Sequence, residues 1–229
     1  MAQEKLYAVL TGDVAGSSRF EGEQRALLLT ALKQSFSLVS EILGEDLLAF
    51  PYEIFRGDSF QGVLHYPAKA LKSALIIRAA LRKSFQTTLK DAVDARIAIG
   101  IGTISMLPGG RGGEGDGEAY RNSGPSLDKM TRESRFIKIV TPWEPVNQEL
   151  NVECALLDTI ISRWTSRQAE VFIETLKGKT QEQIATELKV SQPGIRKRIQ
   201  SSNIYPIELM NNRFDHLLRS FNQNLNTEL

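Results

Sequence analysis

The stretch Leu6-Tyr7-Ala8-Val9-Leu10-Thr11-Gly12-Asp13-Val14-Ala15-Gly16-Ser17-Ser18 carries the strongest prediction of the fold. Its apolar first part, 6–10, predicts a buried strand that ends close to Asp13. A second aspartate stands in Phe55-Arg56-Gly57-Asp58-Ser59-Phe60, between two short runs typical of strands, so a hairpin tip is predicted there. The positions of these two aspartates determine how we interpret the rest of the chain.

The segments between and after the two motifs predict an α+β fold. Apolar residues recur at helical spacing over 23–43 and again over 68–85, and Ala95 to Ile101 alternates as a strand does. With the hairpin, the order becomes β-α-β-β-α-β, the ferredoxin-like arrangement. In that arrangement the first strand and the central hairpin can lie side by side, which would bring Asp13 near Asp58.

Two neighbouring carboxylates favour a site for a divalent cation. Unpaired, they would repel each other, and a hard cation such as Mg²⁺ or Mn²⁺ removes that cost and accepts phosphate oxygens as further ligands. Backbone N–H groups of Gly12, Val14 and Ala15 would then be available to a phosphate. The alternative is that Asp13 caps a turn and Asp58 is an ordinary hairpin residue.

Residues 107–120 are dense in glycine, which predicts a flexible loop. A phosphate-binding role for this loop remains an alternative, although the Gly-Lys-Ser/Thr of a P-loop is missing. A helix over 126–133 and a strand over 136–140 are predicted to complete a first domain, residues 1–148.

The remaining residues, 149–229, predict a small all-α domain. Thr165 with Gln168 and Thr180 with Gln183 have the spacing of capping boxes, and Ser191 suits the start of a third short helix. Three short helices with a tight turn predict a helix-turn-helix, followed by an extra C-terminal helix over about 206–221.

The third of these helices is predicted to bind DNA. Between residues 189 and 200 the chain has four basic residues and no acidic ones. The residues that would reach base edges and phosphates are Gln192, Arg196, Lys197 and Gln200. The alternative is a protein-contact module with a solvated basic face.

The charge, the N-terminal sequence and the cysteine count limit which classes of function we expect. The 229 residues carry 28 Lys and Arg against 27 Asp and Glu, so the net charge of +1 gives the whole chain no polyanion-binding signature. The N-terminus lacks the pattern of a signal peptide, and no apolar stretch is predicted to span a membrane. A single cysteine, Cys154, excludes an internal disulfide and is interpreted as a small core residue. A cytoplasmic location is expected.

The motifs around the two aspartates resemble the SatD family and, more distantly, the catalytic domain of class III adenylate and guanylate cyclases. Residues 11–17, the hairpin 56–60 and the strand Arg96-Ile97-Ala98-Ile99-Gly100-Ile101-Gly102 carry this resemblance, which covers about residues 5–140. It implies that Asp13 and Asp58 hold the metal and that the backbone after Asp13, including Gly16 and Ser17, meets the phosphates of a nucleoside triphosphate or another nucleotide. It also implies a homodimer.

Other positions depart from the cyclase pattern. The lysine that precedes the hairpin in cyclases is replaced here by Glu53-Ile54-Phe55. The asparagine and arginine of a later cyclase helix are not reproduced over 121–129, where Lys129 takes the place of the arginine. The C-terminal part resembles the helix-turn-helix of sigma factors and response regulators, through 164–171 and 180–199.

These observations give three hypotheses. The first is a DNA-binding regulator whose cyclase-like domain binds a nucleotide with a divalent ion. The second is an active nucleotide cyclase, or a related nucleotidyl-transfer enzyme, with a helix-turn-helix sensor. The third is a non-catalytic scaffold that uses both parts for protein contacts.

Overall fold

The structure is a computed structural model that describes residues 5–85, 93–107 and 115–224. Its strands are β1 (Tyr7–Val14), β2 (Leu48–Arg56), β3 (Ser59–Leu64), β4 (Ala95–Gly102) and β5 (Ile137–Val140). Its α-helices are α1 (Gly22–Leu43), α2 (Ala70–Ser84), α3 (Glu118–Glu133), α4 (Glu144–Ile161), α5 (Ser166–Leu176), α6 (Gln181–Leu188), α7 (Gln192–Ser201) and α8 (Ile204–Asn224). The protein is therefore a mixed α+β fold.

The strands form a five-stranded sheet in the order β2-β3-β1-β4-β5. β1 is central and runs antiparallel to both β3 and β4, while β5 joins β4 in parallel. The predicted hairpin is confirmed, since β2 and β3 pair around Gly57 and Asp58. β1 extends to Val14, so Asp13 lies inside the strand and not after it.

The two faces of the sheet are covered differently. Alternate residues of β1, such as Ala8 and Leu10, join the main apolar core formed with α1 and α2. On the other face α3 packs on β4 and β1. Gly100 makes this approach possible, because a Cβ at this position would lie 2.1 Å from the carbonyl oxygen of Ala119 and 2.6 Å from the Ser123 nitrogen.

The prediction for residues 107–120 is wrong at its end. α3 begins at Glu118 and continues through Pro125 to Glu133, so it is longer than the helix predicted over 126–133. The glycines before it and the internal proline hid this start. Residues 108–114 of the predicted loop lie outside the described residues.

The C-terminal helices pack onto the α/β part. The capping boxes at Thr165 and Thr180 are confirmed, and the Ser191 hydroxyl accepts the N–H of Gly194 at the start of α7. α5 contacts α2, and α8 contacts both α4 and the short turn Pro67–Lys69. The predicted boundary after residue 148 falls inside α4.

A buried charge network, comprising Arg78, Arg82, Asp94 and Asp158, joins these parts. Arg78 of α2 donates to Asp94 at 2.8 and 2.9 Å and to Asp158 of α4 at 2.7 Å. Arg82 donates to Asp94 at 2.9 Å and to the carbonyl of Trp164 at 3.0 Å. Burial alone would lower the pKa of Arg78, but Asp94 and Asp158 raise it above its ordinary value, so the guanidinium stays charged.

The expectation that no stretch could span a membrane requires a correction. α1 is long and apolar enough to do so by length and composition. The same helix contributes Leu28, Leu32, Phe36 and Val39 to the core and packs against α2. Core helices meet the same criteria, because an apolar face and a length of 22 residues suffice.

Candidate functional site

The candidate site lies on the α3 side of the sheet, at the end of β1. Thr11 and Asp13 alternate with the core residues of β1 and therefore point to this face. Thr11 lies 2.7 Å from the Ser123 hydroxyl of α3. On the neighbouring strand Arg96 donates to Thr131 of α3 at 2.8 Å. The end of β1, the start of β4 and the middle of α3 thus form one polar region.

Asp13 is held by an arginine that sequence reasoning missed. Arg96 stands opposite Asp13 in the β1–β4 register, and its guanidinium binds both carboxylate oxygens at 2.7 and 2.9 Å. Both side chains are about one-fifth exposed, at 23% for Asp13 and 20% for Arg96. The sequence did contain a signal for this partner, because Arg96 is a charged residue within the apolar strand 95–101. Such a residue points away from the apolar core and towards the polar face of the sheet.

Asp58 is attached to the same strand end from the other side. The backbone N–H of Val14 donates to Oδ2 of Asp58 at 2.8 Å. The hairpin tip therefore binds the residue that follows Asp13 in the chain. Within the described residues, the second oxygen of Asp58 has no hydrogen-bond partner.

The backbone N–H groups predicted to bind phosphate form two groups, those in residues already paired within the protein and those not bonded to the backbone. Val14 donates its N–H to Asp58, Ala15 donates to the carbonyl of Asp94 at 2.9 Å, and Gly12 lies between two paired strands. Gly16 adopts φ 70°, in the left-handed region that suits glycine, and Ser17 follows in a short turn. Among the described residues, neither Gly16 nor Ser17 donates its N–H to another backbone group.

A buried polar chain supports the floor of this region. Gln61 donates from Nε2 to the Thr11 hydroxyl at 2.9 Å, and the Ser123 hydroxyl reaches the carbonyl of Ala98 at 3.1 Å. The chain fixes α3 against β1, β3 and β4. The Gln61 Oε1 atom is buried and lacks a hydrogen-bond partner among the described residues.

Lys129 lies on the exposed side of α3, in the same helix as Thr131. It makes no hydrogen bond or ion pair with any residue that the structure describes. The described residues contain no cluster of three or more His, Cys, Asp or Glu side chains that could hold a metal. Any cation here would therefore depend on the two aspartates together with ligand or water oxygens.

The four predicted DNA-binding residues lie far along the chain on α7. Gln192, Arg196, Lys197 and Gln200 are all exposed, while Ile195 of the same helix is buried. None of the four side chains bonds to another described residue. The structure therefore leaves them free for a partner but does not join them to the region around Asp13.

Comparison with known proteins gives one family match. Residues 7–216 match the profile of the SatD family. No curated protein sequence is similar enough to count as a match.

Solved structures of cyclase domains are similar at low identity. The active GGEEF domain of a diguanylate cyclase from Vibrio cholerae has a TM-score of 0.40 at 15% identity, covering 61% of this chain and 85% of that one. A bacterial light-regulated adenylyl cyclase has a TM-score of 0.37 at 13% identity, with 61% and 44% covered. The guanylyl cyclase domain of the RhoGC fusion protein from the aquatic fungus Blastocladiella emersonii has a TM-score of 0.34 at 19% identity, with 60% and 81% covered.

Proposed function

The chain belongs to the SatD family, and we propose that it binds a nucleoside triphosphate with Mg²⁺ or Mn²⁺ at Asp13 and Asp58 and cyclises it or transfers its nucleotidyl group. A hydroxyl oxygen, from the ribose itself or from an acceptor, would bond to the α-phosphorus and give its proton to water, while the bond from that phosphorus to the β-phosphate breaks and pyrophosphate leaves. The observation that carries this proposal is the 2.8 Å bond from the Val14 N–H to Asp58. It connects the two motifs that resemble the metal motifs of class III cyclases. The bond attaches the hairpin aspartate to the residue that follows Asp13, which supports a shared site at this strand end.

The side chains present suit a divalent cation that is shared with a ligand. Mg²⁺ is usually bound in such sites by one or two carboxylates together with phosphate oxygens and water. Asp58 has one oxygen without a partner among the described residues, and Asp13 contributes a carboxylate now neutralised by Arg96. When bound, the cation would polarise a phosphoryl oxygen and make a hydroxyl more nucleophilic.

The surrounding groups suit a polyphosphate. The N–H groups of Gly16 and Ser17 donate to no backbone group of the described residues, and they lie three and four positions after Asp13. Arg96 and Lys129 supply positive charge from β4 and α3. A guanidinium released from Asp13 would be well suited to a phosphate, because its fork binds two oxygens at once.

The architecture is consistent with this proposal. From β1 to β4 the elements follow the β-α-β-β-α-β order, which we interpret as a ferredoxin-like unit of the cyclase type. The resemblance implies that two copies form a homodimer with shared sites. We expect the protein to act in the cytoplasm.

The first experiment is mass spectrometry of products after incubation with each nucleoside triphosphate and Mg²⁺ or Mn²⁺. The control is the double variant Asp13→Ala/Asp58→Ala, checked for an intact fold by circular dichroism. A new product that is absent with the control supports the enzyme and identifies its substrate. Unchanged triphosphates under all conditions would exclude catalysis and leave nucleotide binding to be measured by calorimetry.

A second candidate function is DNA binding by α5–α7, interpreted as a helix-turn-helix. The supporting observation is the exposed, unpartnered row Gln192, Arg196, Lys197 and Gln200 along one side of α7. Residues three or four apart share a helix face, so these side chains can enter a major groove together. In this reading the protein is a nucleotide-responsive regulator, and dimerisation sets the spacing of two α7 helices.

A further inference from the structure

A cavity lies at the opposite end of β1 from Asp13. Its volume is about 500 Å³, which is within the size range of small-molecule sites. Tyr7 and Asp13 are six residues apart along the strand, a separation of about 20 Å at the usual rise of a strand. The cavity is therefore distinct from the proposed nucleotide site.

Three parts of the chain form the walls of this cavity. The start of β1 and the end of β4 contribute Leu6 and Ile101, and the turn before α2 contributes residues 66–69. The third wall is α8, through Leu218 and Arg219. A ligand held here would contact both the α/β part and the last helix.

Positive charge in the cavity exceeds negative charge. Among the described residues that line it, Lys5, Lys69 and Arg219 stand against a single carboxylate, Asp215, which already pairs with Arg219 at 2.8 Å. Lys69 has no hydrogen bond or ion pair to its side chain among the described residues. Cations that line a partly apolar cavity without a counter-charge favour an anion as the ligand.

His65 adds a neutral donor to the same wall. Its Nδ1 lies 3.2 Å from the Lys5 ammonium, which can only donate, so Nδ1 accepts and the proton of the neutral ring is on Nε2. Burial, and then Lys5, lower the pKa of His65, with Asp46 acting in the opposite direction. The ring is therefore uncharged at neutral pH and can donate from Nε2.

Aromatic surfaces complete the lining. Tyr66 is 53% exposed at the cavity edge, although its neighbours on both sides are less accessible. Trp143, partly buried, contacts Phe221 of α8 with ring centroids 5.9 Å apart. Flat side chains beside cations that have no counter-charge are suited to a flat ring that bears an anionic group.

We propose that this cavity binds an aromatic anion, a flat ring that carries a phosphate or a carboxylate, and that Lys69, Lys5, Tyr66 and Trp143 hold it against α8. The ring would lie along Tyr66 and Trp143, and the anionic group would meet the two lysines. A nucleoside monophosphate and an aryl carboxylate are the two sources of this chemistry. The site links β1, the start of α2 and α8 through one ligand.

The test is calorimetric titration of the full chain in the presence of EDTA, so that no divalent ion supports the nucleotide site. The probes are adenosine monophosphate and 1-naphthoate, with adenosine and inorganic phosphate as controls that each lack one recognition element. We expect at least one probe to bind with a Kd below about 1 mM and each control to bind at least about tenfold more weakly. Which probe binds distinguishes the two sources.

Variants locate the bound probe. Lys69→Ala and Tyr66→Ala should each weaken binding about fivefold or more. Lys33→Ala, at an exposed position of α1, and Asp13→Ala should leave it unchanged. The probe should also quench the fluorescence of Trp143, and Trp143→Phe should remove that signal because Trp164 is only 2% exposed. The proposal is overturned if neither probe binds, if phosphate alone binds equally well, if the Lys69 and Tyr66 variants bind normally, or if Asp13→Ala abolishes binding.

Discussion

Arg96 neutralises Asp13 through two parallel hydrogen bonds, at 2.7 and 2.9 Å, across neighbouring strands. The same aspartate is one of the two carboxylates proposed to hold a divalent cation. The guanidinium occupies a lone pair on each of these oxygens and neutralises the charge that would attract a cation, so Arg96 opposes metal binding at Asp13. The pair therefore predicts a competition that can be measured without any knowledge of the substrate.

Removing this competitor should strengthen metal binding. A partly exposed ion pair contributes about 1 kcal/mol, so Arg96→Ala is expected to bind Mn²⁺ about fivefold more tightly in the absence of nucleotide. Electron paramagnetic resonance of free Mn²⁺ during a titration measures this directly. Asp13→Asn should lose the binding, and Arg121→Ala, which removes an exposed pair with Asp116, should not alter it. Equal affinity in Arg96→Ala and the unmodified protein would contradict the competition.

The pairing of Asp13 with Arg96 could not be read from the sequence, although both motifs could. The Gly57-Asp58 tip was predictable because turn residues between two strand-like runs indicate a hairpin by themselves. Opposite positions on β1 and β4 depend on register, and the two residues are separated by 82 intervening positions. Nothing local specifies that register, so the partner of Asp13 became visible only in the assembled sheet.

The buried charge network predicts a large loss of stability. Asp94→Ala would leave Arg78 and Arg82 buried near Asp158 without their main counter-charge, since the Asp94 side chain is only 4% exposed. Breaking one partner of a buried pair usually costs about 3–5 kcal/mol. Urea unfolding followed by circular dichroism measures the free energy of unfolding.

The matched control for this network is a surface pair. Asp116→Ala removes the partner of Arg121, with side chains 62% and 66% exposed, and should cost less than about 1 kcal/mol. A similar small loss for Asp94→Ala would show that water compensates the arginines and that the network does not hold α2 to α4.

The network also marks a limit of pattern-based prediction. Arg78 stands at helical spacing with Leu71, Leu75 and Leu81, on the face that becomes buried. In the sequence this arginine looks like an interruption of an apolar helix face. Its partners cannot be identified locally, because Asp94 lies just before β4 and Asp158 lies in α4, 80 residues later. By contrast, the helix starts at Thr165 and Thr180 were predictable, since a capping box is satisfied within four residues.

Close contact between α3 and the sheet predicts that Gly100 cannot be replaced. In Gly100→Ala the new Cβ would lie 2.1 Å from the backbone oxygen of Ala119, so helix and strand must separate. Overpacking of this kind costs about 3 kcal/mol. The control is Gly124→Ala in α3. A Cβ added at Gly124 would meet no atom within 4 Å, so this change should alter stability by less than about 1 kcal/mol. Thermal unfolding of both variants tests the contact, and equal midpoints would contradict it.

Cys154 predicts a thiol that does not react in the native protein. It is buried in α4, and burial, followed by the charge of Asp158, raises its pKa above the ordinary value. The native protein should therefore react with a disulfide reagent at pH 8 only as it opens, whereas urea-unfolded protein should react at once. Ser37→Cys, at an exposed position of α1, is the positive control. Immediate reaction of the native thiol would disprove the burial.

The exposed row on α7 predicts a salt-dependent loss of DNA binding. Arg196→Ala and Lys197→Ala each remove one cation that has no partner among the described residues, so the fold should be unaffected. If both contact phosphates, the double variant should lower the slope of log K against log salt by about 2, because each lost contact releases about one counterion fewer.

Fluorescence anisotropy with random-sequence duplex DNA at several salt concentrations measures this slope, with Lys33→Ala on α1 as the control that should match the unmodified protein. Because Asp13 and Asp58 lie outside α7, their double variant should retain DNA binding. Binding that is unchanged in the Arg196 and Lys197 variants would exclude α7 as the DNA-contacting helix.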